Sequence, residues 1–490
     1  MKPCRTLTFA IALLVILNAA EAKDLWIQNV TIVSPERAAP LQGASVRISG
    51  DRIVSISSGS RKSASPKNSI DGTGLYLAPG LIDSHVHLYE IPGMTAEQEQ
   101  AHPDIARAAR EQFPKSYLYF GFTTLIDLNS APMAIKQWTS SAIHPDTYFC
   151  GGTPAQDGYP SNFVPQPARY QYMPYFLIEP ANGLSLPPGT DAAEHTPEAV
   201  VRRMKADGAI CVKAFFEHGF EGAHNLPVPR LETIQALVRA AHAAGMPVLL
   251  HANSSEAQTF GLAAEVDIFA HALWNWDESW RVTELTAPIR KILDAQLQNG
   301  RGLQSTIQVL YGEKDLFDDS FLDRPQLAAA VPTTLIAWYK TAQGQWFRDD
   351  LAKHLVDKPG EKPHNVDDSA IARAKNCVAY LAKNNARLLF GSDTPSSPTY
   401  ANPPGLNGRM EIRDLVAAGV SAEQVFRAAT LANADAFGLG ADVGTVEVGK
   451  RANLLLLHAD PSKTVEAYDG IEKIILRGQV LDPHALAANR

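Results

Sequence analysis

The chain has 490 residues, 45% of them hydrophobic, and carries 44 Lys and Arg against 52 Asp and Glu, a formal net charge of −8. That length is too great for one small domain and suits a large barrel with a satellite domain. The mild acidic excess, without any basic run, argues against a nucleic-acid partner, and four cysteines exclude a disulfide scaffold.

Lys2 and Arg5 precede an apolar run from Leu7 to Ala20 that closes in Ala20-Glu21-Ala22. This reads as a secretory signal peptide over residues 1–22, so the mature chain is expected to start near Lys23 and be exported, to the periplasm or outside the cell. An uncleaved signal helix acting as an anchor is the alternative; no later segment offers about 18 uninterrupted apolar residues, so no stable membrane span is expected. Cys4 leaves with the signal, while Cys150, Cys211 and Cys377 remain, enough for at most one disulfide and one free thiol. None of their spacings resembles a thiolate zinc site.

Residues 23–78 read as short antiparallel strands: Leu25-Trp26-Ile27, Ala44 to Ile48, the turn Ser49-Gly50-Asp51, then Arg52 to Ile56. Residues 441–490 repeat the style, with Asn453 to Leu457, Ile471 to Leu476 and the turn Arg477-Gly478. Both chain ends are therefore expected to build one small β-sandwich domain.

Between them, over 79–440, short apolar strands alternate with amphipathic helical stretches, the pattern of an α/β protein with a parallel sheet or barrel. The expected strands are Leu81 to Ser84, Thr123 to Leu128, Thr147 to Gly151, Ala209 to Lys213, Pro247 to His251, Asp267 to His271, Ser305 to Leu310 and Arg387 to Gly391. Eight strands point to a (β/α)8 TIM-like barrel. Thr196-Pro197-Glu198 signals a capped helix start, and a second helix is expected from Arg230 to Ala244, stopped by Gly245. Two connections are long, Thr153 to His195 and Tyr311 to Asn385, and such loops commonly form lids or walls.

The first barrel strand ends in Asp83-Ser84-His85-Val86-His87, and residues i and i+2 of a strand share a face, so both imidazoles can grip one ion. Alone, this pair is weak evidence. However, strand five closes on His251, strand six on His271 and strand eight on Asp393, so four strands place a metal-competent group at the C-terminal rim, where barrel active sites lie. Imidazole and carboxylate suit zinc or a similar divalent cation, with an open position for water. Strand four ends on Lys213, whose ammonium would repel a cation. Two readings are open: a carbamate formed with carbon dioxide, which bridges two ions, or a lysine that snorkels or pairs with an acid such as Glu217.

This set resembles the amidohydrolase superfamily, and within it the imidazolonepropionase-like, prolidase-type hydrolases with a strand-four lysine. The matching pieces are PGLIDSHVH at Pro79 to His87, Lys213, His251 followed by His271, GSDTP at Gly391 to Pro395, and the tail from Gly444 to Leu454, together spanning nearly the whole mature chain. The resemblance implies that His85, His87 and Asp393 hold a first ion, that His251 and His271 hold a second, and that carboxylated Lys213 bridges them, zinc being the expected metal. Asp393 would also shuttle the proton. The tail departs from the pattern at Asn453, where such sequences commonly carry an acid; the change should be harmless because it lies far from the rim. The segment around strand seven is not a familiar part of the pattern, so substrate preference cannot be borrowed.

The implied reaction is hydrolysis of an amide by a water whose pKa the metal lowers towards about 7, with Asp393 passing the proton to the leaving nitrogen. The expected substrate is a small molecule or short peptide, namely a dipeptide or N-acyl amino acid. His218 and His224 are candidates for polarising the carbonyl, or else face solvent. Tyr159, Tyr170, Tyr172, Trp274, Trp276 and Tyr311 fall on rim-side loops and either line an apolar pocket or pack those loops down. Hydrolysis of a cyclic amide, lactone or phosphoester on the same site is the nearest alternative; a deaminase is less favoured, and a noncatalytic binding or metal-sequestering protein is the alternative from another class. Metal identity, one ion against two, and whether the chain forms a homo-oligomer are not readable at this stage.

Overall fold

Eight parallel strands form the barrel: Leu81–Val86, Phe122–Asp127, Asp146–Thr153, Cys211–Phe215, Val248–His251, Ile268–Ala270, Gly302–Gln304 and Arg387–Leu389. Each hydrogen-bonds to the next in chain order. The ring closes where Ser84 N donates to Phe390 O at 3.2 Å and Val86 bridges Thr394 in parallel. The computed structural model describes residues 24–489 apart from 60–67, 165, 167, 180–182, 184, 221–224, 356–367 and 397; the expected signal segment lies outside the described residues.

Strands such as Leu81–Val86, Phe122–Asp127 and Val248–His251 are buried throughout, on both faces, so they do not show the apolar and polar alternation of a half-exposed strand. The helix Pro197–Ala206 starts as expected, with Thr196 Oγ1 accepting from Ala199 N at 3.3 Å. Leu231–Ala243 likewise ends just before Gly245, whose φ of +71° few other residues adopt.

The seventh strand departs from expectation. It is Gly302–Gln304, and the expected Ser305 to Leu310 is instead a turn leading into the helix Gln308–Asp315. Thr306, at φ +48°, reverses the chain, and the Glu411 carboxylate holds the new helix start by accepting from Ser305 Oγ at 2.5 Å and Gln308 N at 2.7 Å. Apolar alternation cannot reveal a turn made by a carboxylate more than a hundred residues away. The fourth strand is also displaced, to Cys211–Phe215, so Lys213 sits in its middle rather than at its end. Much of the connection Tyr311 to Asn385 is helical, including Thr333–Tyr339 and Trp346–Leu355. Tyr339 OH donates to Pro92 O at 2.6 Å and Trp346 Nε1 to Gly93 O at 3.0 Å, which fastens this segment to the loop after the first barrel strand.

The chain ends build the satellite domain. Leu25–Ile32, Leu41–Ser49, Arg52–Ser58, Ser69–Asp71 and Tyr76–Pro79 join Leu454–Leu457, Ile471–Leu476 and Gln479–Leu481 in one sheet. Pairing is antiparallel except that Leu25–Ile32 runs parallel to Ser69–Asp71 and Tyr76–Pro79. Ile27, Val46, Ile48, Ile53, Leu454 and Leu456 form part of its separate core.

Tyr76–Pro79 passes into the first barrel strand across Gly80, where a Cβ would stand 2.1 Å from Thr123 Oγ1. Beside this crossing, Asp146 opens the third barrel strand at the floor, opposite the rim. Its carboxylate accepts from Asn453 Nδ2 at 2.7 Å, Arg451 Nη1 at 2.7 Å and Arg477 Nη1 at 2.9 Å. Asn453 is thus far from the rim, and an acid in its place would face Asp146. A disulfide, Cys150–Cys211, links the third and fourth strands, leaving Cys377 buried and free.

Burial alone would raise the pKa of Asp146, but its bonds with Arg451, Arg477 and Asn453 outweigh that and hold it below 3.8. A carboxyl with a lowered folded-state pKa contributes stability that is full above its unfolded value and lost as pH falls through the folded one. Asp146→Asn should therefore cost about 1.5–3 kcal/mol at neutral pH, and the difference from wild type should close below about pH 4, as read by thermal unfolding across pH.

Candidate metal centre and cavity

The residues singled out at the strand ends converge. His85 Nε2 and His87 Nε2 both stand 3.0 Å from Asp393 Oδ1, and His271 Nδ1 lies 3.7 Å from Asp393 Oδ2. The ring centroids of His85 and His271 are 5.2 Å apart and those of His251 and His271 4.4 Å apart. Lys213 Nζ approaches His85 Nε2 at 3.5 Å. All six side chains line one cavity of about 2100 Å³ over the barrel rim.

Several local devices aim these groups. Asp83 Oδ1 accepts from the backbone N–H of both His85 and Ser392, at 3.2 and 3.0 Å, which ties the end of strand one to the loop after strand eight. Asp393 N donates to His85 O at 2.7 Å, and His87 N to Thr394 O at 2.7 Å. His271 and Asp393 have φ of +84° and +57°, conformations that side-chain-bearing residues rarely hold unless the surroundings enforce them. Thr306 Oγ1 lies 2.8 Å from His271 Nδ1, which commits that nitrogen and leaves Nε2 for another partner.

The electrostatics favour an anionic Asp393: burial lowers His85, His251 and His271, whereas His87, despite its burial, is raised by its bond with Asp393. Burial alone would raise the Asp393 carboxyl, but the charges of His85 and His271 and the bonds to His85 and His87 hold it well below the usual carboxylate range. Burial pushes His85 down to about 3, against the pull of Asp393. Lys213 falls to about 7 because burial removes solvent from its ammonium, with Asp393 opposing. Glu217 is not its ion-pair partner: that carboxylate accepts from Gly219 N at 3.0 Å and Asn253 Nδ2 at 3.3 Å.

The donor set fits a divalent cation. Ligand atoms of His85, His87 and Asp393 lie within 4.8 Å of one another. His251 Nε2 is buried without a hydrogen bond, Glu217 Oε2 standing 3.5 Å away, and an orphaned imidazole nitrogen is what a coordinating ion would satisfy.

Of the residues suggested for substrate, Tyr159 and Trp274 line the cavity, their rings 4.7 Å from His251 and 5.6 Å from His271. His218 is not among the lining residues; it is half exposed and stands 3.6 Å from Glu256. Tyr311 is also turned away, since the helix replacing the expected seventh strand packs it against the core, near Asp414. Tyr172 lines the cavity, whereas Tyr170 bonds Asp157 at 2.6 Å and Trp276 is buried against Leu273 O at 2.9 Å. His224 lies outside the described residues. Sequence reasoning missed Glu90 and Asn253 on the cavity wall; each follows a histidine of the cluster by two or three residues, a position that only the rim geometry makes meaningful.

The amidohydrolase family profile matches residues 76–267 and 341–481. The chain is 35% identical over 102 residues to a dihydroorotase of Streptococcus thermophilus, a match spanning 21% of each protein. In fold it is similar to a Xaa-Pro dipeptidase with bound methionine in its active site, at TM-score 0.61, 20% identity and coverage of 94% of this chain and 100% of the other. It is also similar to molinate hydrolase, at TM-score 0.67, 17% identity and coverage of 95% and 96%.

If Thr306 fixes His271 for an ion, Thr306→Val should weaken divalent-metal affinity by about 10–100-fold with little change in thermal stability of the metal-free protein, measured by competitive chelator titration.

Proposed function

Since the chain belongs to the amidohydrolase family, we propose that it is an exported metal-dependent hydrolase that cleaves an amide bond, that of a dipeptide or N-acyl amino acid. The observation that carries this reading is the convergence of His85, His87 and His271 on one buried carboxylate, Asp393, at the floor of a large rim cavity. The similarity in fold to a Xaa-Pro dipeptidase supports the amide class.

His85, His87 and Asp393 would hold one divalent ion, zinc being the expected metal. His251 and His271 would hold a second, with carboxylated Lys213 between them. The buried position of Lys213, without a carboxylate partner of its own, supports the carbamate: a neutral amine there can form a bond to the carbon of carbon dioxide, release a proton to solvent and become an anion that would suit divalent ions. Bound metal supplies Lewis acidity and lowers the pKa of water, which makes a nucleophile at neutral pH.

The chain's own groups do the rest. Asp393, kept anionic, accepts a proton from the attacking water and delivers it to the leaving nitrogen. Tyr159 takes the carbonyl-polarising part first considered for His218: burial and the nearby charges of Asp393 and Glu217 keep its hydroxyl protonated, so it can donate to the developing oxyanion. The cavity walls hold the amide over the cluster.

Export rests on the N-terminal signal pattern and is supported by the Cys150–Cys211 disulfide, a bond that persists in oxidising compartments.

Asp393→Asn should nearly abolish turnover of N-acyl amino acids while bound metal stays at or above half of wild type; undiminished activity in that variant would remove the proposed role. Elemental analysis with native mass spectrometry should find about two ions per chain and the added mass of carbon dioxide on Lys213, and one ion on an unmodified lysine would replace the bridged site with a mononuclear one.

A further inference from the structure

The cavity is at least twice the roughly 300–1,000 Å³ typical of small-molecule sites, so at about 2100 Å³ it is oversized for an unadorned dipeptide. Its walls are unusual in one respect. Four aromatic side chains are exposed among the described residues, Phe163 at 66%, Tyr172 at 61%, Trp280 at 58% and Phe220 at 42%, and all four line this cavity. Exposed aromatics scattered over a surface need no explanation, but their confinement to one opening marks a binding surface.

They are also continuous with the centre. The Tyr159 ring lies tilted beside His251 at 4.7 Å between centroids and meets Phe163 at 5.8 Å and Phe220 at 5.6 Å edge to face, so a ladder of rings runs from the metal-competent cluster to the exposed mouth. Trp274, 5.6 Å from His271, adds an aromatic face beside the second imidazole. The cations of the cavity, by contrast, are already committed. Arg110 bonds Glu99 and Tyr89 O, and Arg107 bonds Asp104 at 2.7 Å. Arg373 donates to the carbonyls of Val282, Ser279 and Glu278. Lys213 sits within the cluster itself. No lining guanidinium among the described residues stands unpaired to clamp a substrate carboxylate in the bidentate manner.

We infer that the amide cleaved here carries an aromatic or long apolar group, on its acyl or its amine side, which lies along the Tyr159, Phe163 and Phe220 ladder and supplies most of the ground-state affinity. This inference rests on the hydrolytic reading of the same site and names the substrate class within it. An aromatic side chain carries roughly 150–250 Å² of surface in all, and 66% of Phe163 and 42% of Phe220 stand open to a ligand, so burying a two-ring group against several such rings outweighs a single rim hydrogen bond. The amide end, small and polar, is left to Tyr159 OH and the cluster.

The test separates binding from turnover. Sulfonamides resist hydrolysis, so the metal-loaded protein is titrated calorimetrically with N-methylsulfonyl-alanine, N-(2-naphthylsulfonyl)-alanine and N-methylsulfonyl-tryptophan. At least one of the two larger probes should bind at least tenfold more tightly than the first, and Phe163→Ala/Phe220→Ala should erase most of that advantage. Equal affinity for all three probes, or an advantage that survives the double variant, overturns the inference. The corresponding N-acetyl and N-naphthoyl amides are then assayed for cleavage. Apolar preference in binding without cleavage of any amide leaves the inference standing and fails the proposed reaction; cleavage of both amides with flat binding does the reverse.

Discussion

One carboxylate holds the functional end of this protein together. Asp393 stands within hydrogen-bond reach of His85 and His87 and close to His271, so a single anion from strand eight gathers imidazoles from strands one and six. Three imidazoles and a lysine brought this close without an anion would leave buried nitrogens unsatisfied, and each such group is costly. The same residue helps close the barrel, because its backbone N–H donates to His85 O. Closure of the fold and assembly of the centre are therefore one event, and both depend on Asp83 beneath, which anchors the backbone at His85 and Ser392 together.

The floor of the barrel is organised by the opposite electrostatic arrangement. There the anion, Asp146, is met by two guanidinium groups and an amide from the C-terminal segment. The first strand follows directly from the satellite sheet, and the tail returns to that sheet beside Asp146, so the satellite domain braces the barrel at its base and leaves the rim free. Function and stability are thus placed at opposite ends of the strands, as the barrel architecture generally arranges them.

The rim combines strand residues with loop residues. The strand residues, such as His85 near the end of the first strand and Lys213 within the fourth, are almost wholly buried. The long connections after strands three and seven bring Tyr159 and Phe163 on one side and Trp346 and Phe347 on another to the cavity. Chemistry set by the strands and preference set by the loops is a division that lets one scaffold serve different amides.

How much of this could be read in advance follows the same division. The cluster of rim side chains was legible because it is local: alternation along a strand puts His85 and His87 on one face, and apolar runs ending in His251, His271 and Asp393 mark the rim directly. The (β/α)8 order and the return of the tail to the first sheet were legible for the same reason, since each short apolar run declares its own element. The seventh strand was not, because the turn at Thr306 is held by Glu411, a contact no neighbouring residue announces. Nor was the fate of the loop residues: Tyr159 came to the centre while His218 and Tyr311 turned from it, although all three looked alike as polar or aromatic groups beyond a strand. The sequence by itself determined which side chains could bind an ion; only the tertiary structure decided which oxygen, which imidazole and which aromatic ring meet, because the direction of a loop is set by what it packs against rather than by its own residues.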